Sequence, residues 1–332
     1  MTGPVLSHDP LWPRAGDWPA IEALADGARA DLTILGVPAS RSSLSPTNAH
    51  TTPAAIREAL RRYSPALVPD RSRDVFGPPD ARPPGVVDLA ELGYADAGDI
   101  DEPDGEAGEA RTRARVAEVL DRSDAIIALG GDNSVTVATA LGAWGDDLAR
   151  AGLVTIDAHH DLREGVSNGS PVRRLIEAGL DPRRIVQIGI ADFANSAAYA
   201  RRAEELGITV VHRDELHHRQ LGALMAEALL IAGAAGGPVH LDVDVDACDR
   251  SVAPACPASV PGGLTAWELR ALVRAAASDP RVRSADLVEI DATTDAPDGR
   301  TVRLAALCVL EFAAGIAIRK VPPPEEGGRL GA

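Results

Sequence analysis

Apolar residues in this chain fall into short runs, and a polar or helix-patterned stretch separates each run from the next. Runs at 31–37, 125–129, 152–156, 184–188, 238–241 and 285–288 have strand length and carry Ile, Val and Leu. Near-continuous apolar strands of that kind suit a parallel sheet covered on both faces. Between them, Thr52 and Pro53 open one helix, residues 116–120 lie in another, and helical patterns cover 221–231, 266–277 and 302–318. The alternation predicts right-handed crossover units in one α/β domain spanning 29–320, with 1–28 and 321–332 as mobile ends. Residues 66–110 are rich in Pro, Asp and Gly and read as a surface connection with a short strand near 86–89. The acidic run from Asp96 to Asp101 lacks the ligand spacing of a calcium-binding EF-hand loop. No segment repeats.

Several of these runs end in residues able to do chemistry. The strand at 125–129 breaks at Gly130, Gly131, Asp132, Asn133 and Ser134, where the glycine pair permits close backbone approach and Asn133 or Ser134 can cap the next helix. Asp157, His159, His160 and Asp161 close the run at 152–156, and Asp242, Asp244 and Asp246 follow the run at 238–241. Ligands collect at the C-terminal ends of parallel strands. Carboxylate oxygens mixed with imidazole nitrogens suit a hard divalent ion such as Mn2+. Either acidic stretch alone reads more readily as a solvated loop; together with the break at 130–134 they read as a two-metal site. Glu289 ends a fourth run on the same edge.

The stretches G-G-D-N-S at 130–134, D-A-H-H-D at 157–161 and D-V-D-A-C-D-R-S-V-A-P from Asp244 resemble the ureohydrolase family of arginase, agmatinase and formimidoylglutamase. The resemblance runs from about residue 31 to about 318. It implies a three-layer α/β/α arginase-like fold with a mainly parallel sheet, and a bridged pair of Mn2+ ions that makes hydroxide available. By motif, Asp157, His159, Asp161, Asp244 and Asp246 would be the ligands, with Asp157 and Asp244 bridging. Asp161 would also carry a proton, and Glu289 would hold the cationic carbon–nitrogen group of the substrate. Asp242 stands where relatives have a small polar residue, and Asp249 matches a supporting acidic position.

This chain departs from most of the family at two positions. Asn133 replaces a terminal His ligand, so it either offers a weaker amide oxygen to a less tightly held metal or only caps a helix. Asn168 replaces a proton-shuttling His. Arg163, two residues past Asp161, can clamp a substrate carboxylate bidentately. These features resemble the formimidoylglutamase branch, which hydrolyses N-formimino-L-glutamate to L-glutamate and formamide in histidine degradation. Two alternatives stay open: a ureohydrolase acting on a guanidino acid or agmatine, and a non-catalytic binding or regulatory subunit on the same fold. The family resemblance also implies a homo-oligomer, a trimer or hexamer.

Composition narrows the field further. With 49 acidic against 33 basic residues, the net charge is −16, which argues against nucleic acid as a partner. No run of about 18 apolar residues and no signal peptide stands out, so a cytoplasmic enzyme is expected. The 3 cysteines lack metal or disulfide spacing. Cys248 and Cys256 share a loop as reduced thiols or close neighbours, Cys308 reads as core, and His212, His217 and His218 read as surface.

Overall fold

A computed structural model describes residues 9–69 and 86–320. Among these residues ten strands form: β1 (Leu32–Val37), β2 (Leu67–Pro69), β3 (Val86–Asp88), β4 (Tyr94–Asp99), β5 (Ile126–Gly130), β6 (Gly152–Ile156), β7 (Ile185–Ile190), β8 (Thr209–His212), β9 (Val239–Asp244) and β10 (Val282–Val288). The α-helices are α1 (Thr52–Leu60), α2 (Gly105–Arg122), α3 (Val135–Trp144), α4 (Pro171–Ala178), α5 (Ala197–Leu206), α6 (Leu221–Ala232), α7 (Ala266–Ala277) and α8 (Arg300–Lys320).

Eight strands make one sheet in the order β4-β1-β5-β10-β9-β6-β7-β8, and every pair in it is parallel. Strands β1, β5, β6, β7 and β9 are buried along their whole length, because helices cover both faces. The order brings the C-terminal ends of β5, β10, β9 and β6 side by side. Those are the four ends at which the sequence places its candidate chemistry.

Three features differ from expectation. Residues 94–99, read as part of a surface connection, form the edge strand β4, with Tyr94 opposite Leu32 and Asp96 opposite Ile34. Arg57 of α1 makes the acidic strand possible, holding Asp96 at 2.7 Å and Asp99 at 2.5 Å. Helix α8 does have the length and composition of a membrane span, but 83% of its apolar window is buried inside the fold. It packs on α7 and α1, and a side chain at Gly315 would lie 2.6 Å from the Arg274 carbonyl, so the glycine sets the close approach to α7. At the N-terminus, Ala15 and Ile21 are buried and Trp18 stacks on Tyr94 with ring centroids 4.6 Å apart. That packing falls inside the segment 1–28 expected to be a mobile end; residues 1–8 and the expected tail 321–332 lie outside the described residues.

Candidate metal centre

The turn after β5 is built by backbone crowding. A Cβ on Gly131 would sit 1.7 Å from the Ala39 carbonyl oxygen, and one on Gly130 would sit 2.6 Å from Val288 Cγ1. No other residue fits there without moving the Ala39 backbone or β10. Neither Asn133 nor Ser134 caps α3 with its side chain. Asp132 holds this turn instead, accepting from the Ser134 backbone N–H at 3.1 Å and from the hydroxyls of Ser134 and Ser42. The Asn133 amide is thereby free to face the centre: its Nδ2 donates to Asp161 Oδ2 at 2.6 Å while its Oδ1 accepts from Thr136.

Asp157, His159 and Asp246 bring ligand atoms within 4.8 Å of one another. His159 Nδ1 lies 2.7 Å from Asp246 Oδ2 and 3.5 Å from Asp157 Oδ1. Asp157 accepts from the His159 backbone N–H and Asp244 from that of Asp246, each within its own loop, while Asp246 accepts from that of Ala158 in the neighbouring loop. Asp161 and Asp244 are buried beside this group. His160, the second imidazole of the stretch, turns away and bonds Gln187 Oε1 at 2.7 Å.

Burial pushes Asp157 up to about 6, with the Asp246 charge adding to it, and pushes Asp161 and Asp244 up as well, with neighbouring carboxylates adding. The same carboxylates overcome burial at His159 and push it up to about 12. Asp246 stays low despite burial because His159 faces it. Burial raises Glu289 to about 8. One imidazole cannot balance so many enclosed carboxylates, which makes the group short of positive charge. Oxygen donors with one nitrogen are the chemistry that a hard divalent ion completes.

Glu289 and Asp161 both adopt left-handed backbone, with φ of 64° and 52°. Such conformations cost energy in residues other than glycine and gather at functional sites. Glu289 Oε1 accepts from the Asn133 backbone N–H and from Asn168 Nδ2, each at 2.8 Å. Among the described residues its Oε2 takes no hydrogen bond. Asn168 also ties down the loop after β1, accepting from the Leu44 N–H at 3.0 Å. Arg163 is exposed on this side, its stem lying over Gly169.

Asp242 does not join the centre. It is fully buried inside the sheet, in register with Asp286 and Thr155, and both its oxygens lack hydrogen-bond partners. Asp249 stays outside too, organising its loop through Ser251 and Gly262. Cys248, Cys256 and Cys308 are buried free thiols. Sequence reasoning missed Asp132 and Asn195; the latter clamps the metal loop from β7 by accepting from the His160 N–H at 3.0 Å and donating to the Ala158 carbonyl at 2.8 Å. Asp132 stands inside the G-G-D-N-S stretch and Asn195 in a loop, and only the contacts they make reveal what each holds.

A parallel sheet with acidic residues and an imidazole converging at its C-terminal edge defines an α/β protein of the metal-dependent hydrolase class. The chain belongs to the arginase family, whose sequence profile matches residues 30–315. It is 32% identical over 306 residues to a formimidoylglutamase of Halalkalibacterium halodurans, covering 89% of this chain and 91% of that protein. It is 30% identical over 304 residues to a guanidinopropionase of Pseudomonas aeruginosa, covering 87% and 90%. The solved structure of formimidoylglutamase from Bacillus subtilis superposes with a TM-score of 0.81 at 28% identity, covering 97% of each chain. The arginase-like α/β/α architecture expected from the sequence is borne out.

Proposed function

We propose that this protein hydrolyses N-formimino-L-glutamate to L-glutamate and formamide. The observation that carries the reading is the convergence of Asp157, His159 and Asp246 with a cation-seeking Glu289 at one sheet edge. Likeness to formimidoylglutamases over most of the chain supports the substrate. When bound, a pair of Mn2+ ions held by Asp157, His159, Asp161, Asp244 and Asp246, with Asn133 at its rim, supplies the Lewis acidity that lets water attack as hydroxide near neutral pH.

The chain's own residues do the rest. Asn133 and Asn168 fix one oxygen of Glu289, and the other receives the cationic formimino nitrogen. Asp161, buried and oriented by Asn133, passes the proton of the attacking water to the departing amine. Water adds to the formimino carbon, the bond from that carbon to the glutamate nitrogen breaks, and glutamate leaves as the amine with formamide as the other product. Arg163 receives a substrate carboxylate at the mouth. Hydrolysis of a guanidino acid with release of urea is the second reading, favoured by the likeness to guanidinopropionase, because it uses the same centre and also brings a carboxylate. Asp244→Asn tests the site: glutamate release should fall more than about 100-fold, with bound manganese reduced and the far-UV spectrum unchanged. Undiminished turnover would exclude this centre.

A further inference from the structure

Arg213 directly follows β8, on the same edge of the sheet as the metal centre and two strands from β6. Its Nε and Nη2 are enclosed and have no hydrogen-bond partner, which is unusual for a group with five donors. Arg274 also has an enclosed unpartnered nitrogen, Nη1, but its Nε is bound to Glu311. The carboxylates that act on Arg213 are those of Asp246, Asp249 and Asp157, so its charge lies toward the metal loops.

A cavity of about 290 Å³ opens beside it, lined by Ile190, Ala191, Asp192, Pro261 and Gly262 among others. Its two walls continue from loops that hold the centre. One follows β7, whose Ile188 carbonyl accepts from the Asp157 N–H and whose Ala191 N–H reaches the Ala158 carbonyl, both at 3.0 Å. The other is the loop that continues from Asp246 and is closed by the Gly262 N–H on Asp249. The acidic groups next to Arg213 are spoken for or exposed: Asp192 bonds His212 at 3.1 Å, Glu215 accepts from the His212 N–H, and Asp214 is exposed.

N-formimino-L-glutamate has two carboxylates, one next to the reacting nitrogen and one at the end of a longer arm. We propose that Arg213 binds the distal carboxylate of the substrate in this cavity, while Arg163 receives the carboxylate next to the reacting nitrogen. This inference rests on the substrate reading above. A guanidinium is suited to it because its planar fork matches a carboxylate's two oxygens.

The test compares N-formimino-L-glutamate with N-formiminoglycine, which lacks the distal carboxylate, on manganese-loaded wild type, Arg213→Met and Arg213→Lys. The wild type should prefer the glutamate compound, and Arg213→Met should lower that preference, as a ratio of kcat/KM, about 10- to 100-fold, chiefly through KM. Arg213→Lys should recover part of it. A preference ratio unchanged in Arg213→Met overturns the inference, as does an equal loss on both substrates. Should the Met variant not fold, glutarate should inhibit the wild type at least about tenfold better than butyrate, and equal inhibition would overturn it. Wild type inert toward N-formimino-L-glutamate would instead overturn the substrate reading itself.

Discussion

At the scale of single residues, the ionisation of Glu289 follows from where its backbone puts it. The left-handed turn directs the side chain inward, and burial raises the carboxyl from an ordinary 4.5 to about 8. Metal-free folded protein therefore keeps a proton that the unfolded chain has already released. The stability this group contributes is full below about pH 4.5 and is lost as pH rises toward 8. In chelator-treated protein, urea unfolding at about pH 5 and about pH 8 should show wild type losing stability relative to Glu289→Gln across that interval. Parallel pH dependence in the two proteins would contradict the assignment. Glu289 was legible in the sequence because it ends a strand run, as were Asp157, His159, Asp161, Asp244 and Asp246. Arg213 was not, because nothing next to it in the chain marks its distance from the metal loops.

At the scale of elements, apolar runs were good guides wherever both faces of a strand are covered. The strand at 152–156 and the helix at 266–277 appear where the pattern put them, and the run at 285–288 is the end of β10, which starts at Val282. Strand β4 was hidden because an edge strand needs little apolar surface and its acids are neutralised from α1 by Arg57. Helices α4 and α5 went unread, and their marks are local: Pro171 at the start of one, Ser196 capping the other and Gly207 closing it at a φ of 76°. The glycine pair after β5 was read correctly as a site of close approach. Gly131→Ala should cost about 1–3 kcal/mol or more in denaturant unfolding, because the added carbon meets the rigid Ala39 carbonyl. Wild-type stability in that variant would show that the turn yields more easily than its contacts imply.

At the scale of the whole molecule, the fold works as a frame that sets four strand ends in a row and closes them with loops from β1, β6 and β9. Bonds from Leu44 to Asn168, from Asn48 to Asp291 and from Ser42 to Asp132 pin the first of these loops to those after β6, β10 and β5, so the mouth and the centre are one connected unit. The membrane-length helix is spent on the core rather than on a bilayer. What the frame leaves to individual side chains is substrate choice, which separates formimino from guanidino acids although the same centre serves both. Turnover by manganese-loaded protein of N-formimino-L-glutamate, agmatine, arginine and 3-guanidinopropionate, measured side by side, tests that choice most directly. Glutamate and formamide from the first, with no urea from the others, is the predicted result; urea from a guanidino compound, with the formimino compound untouched, would contradict it.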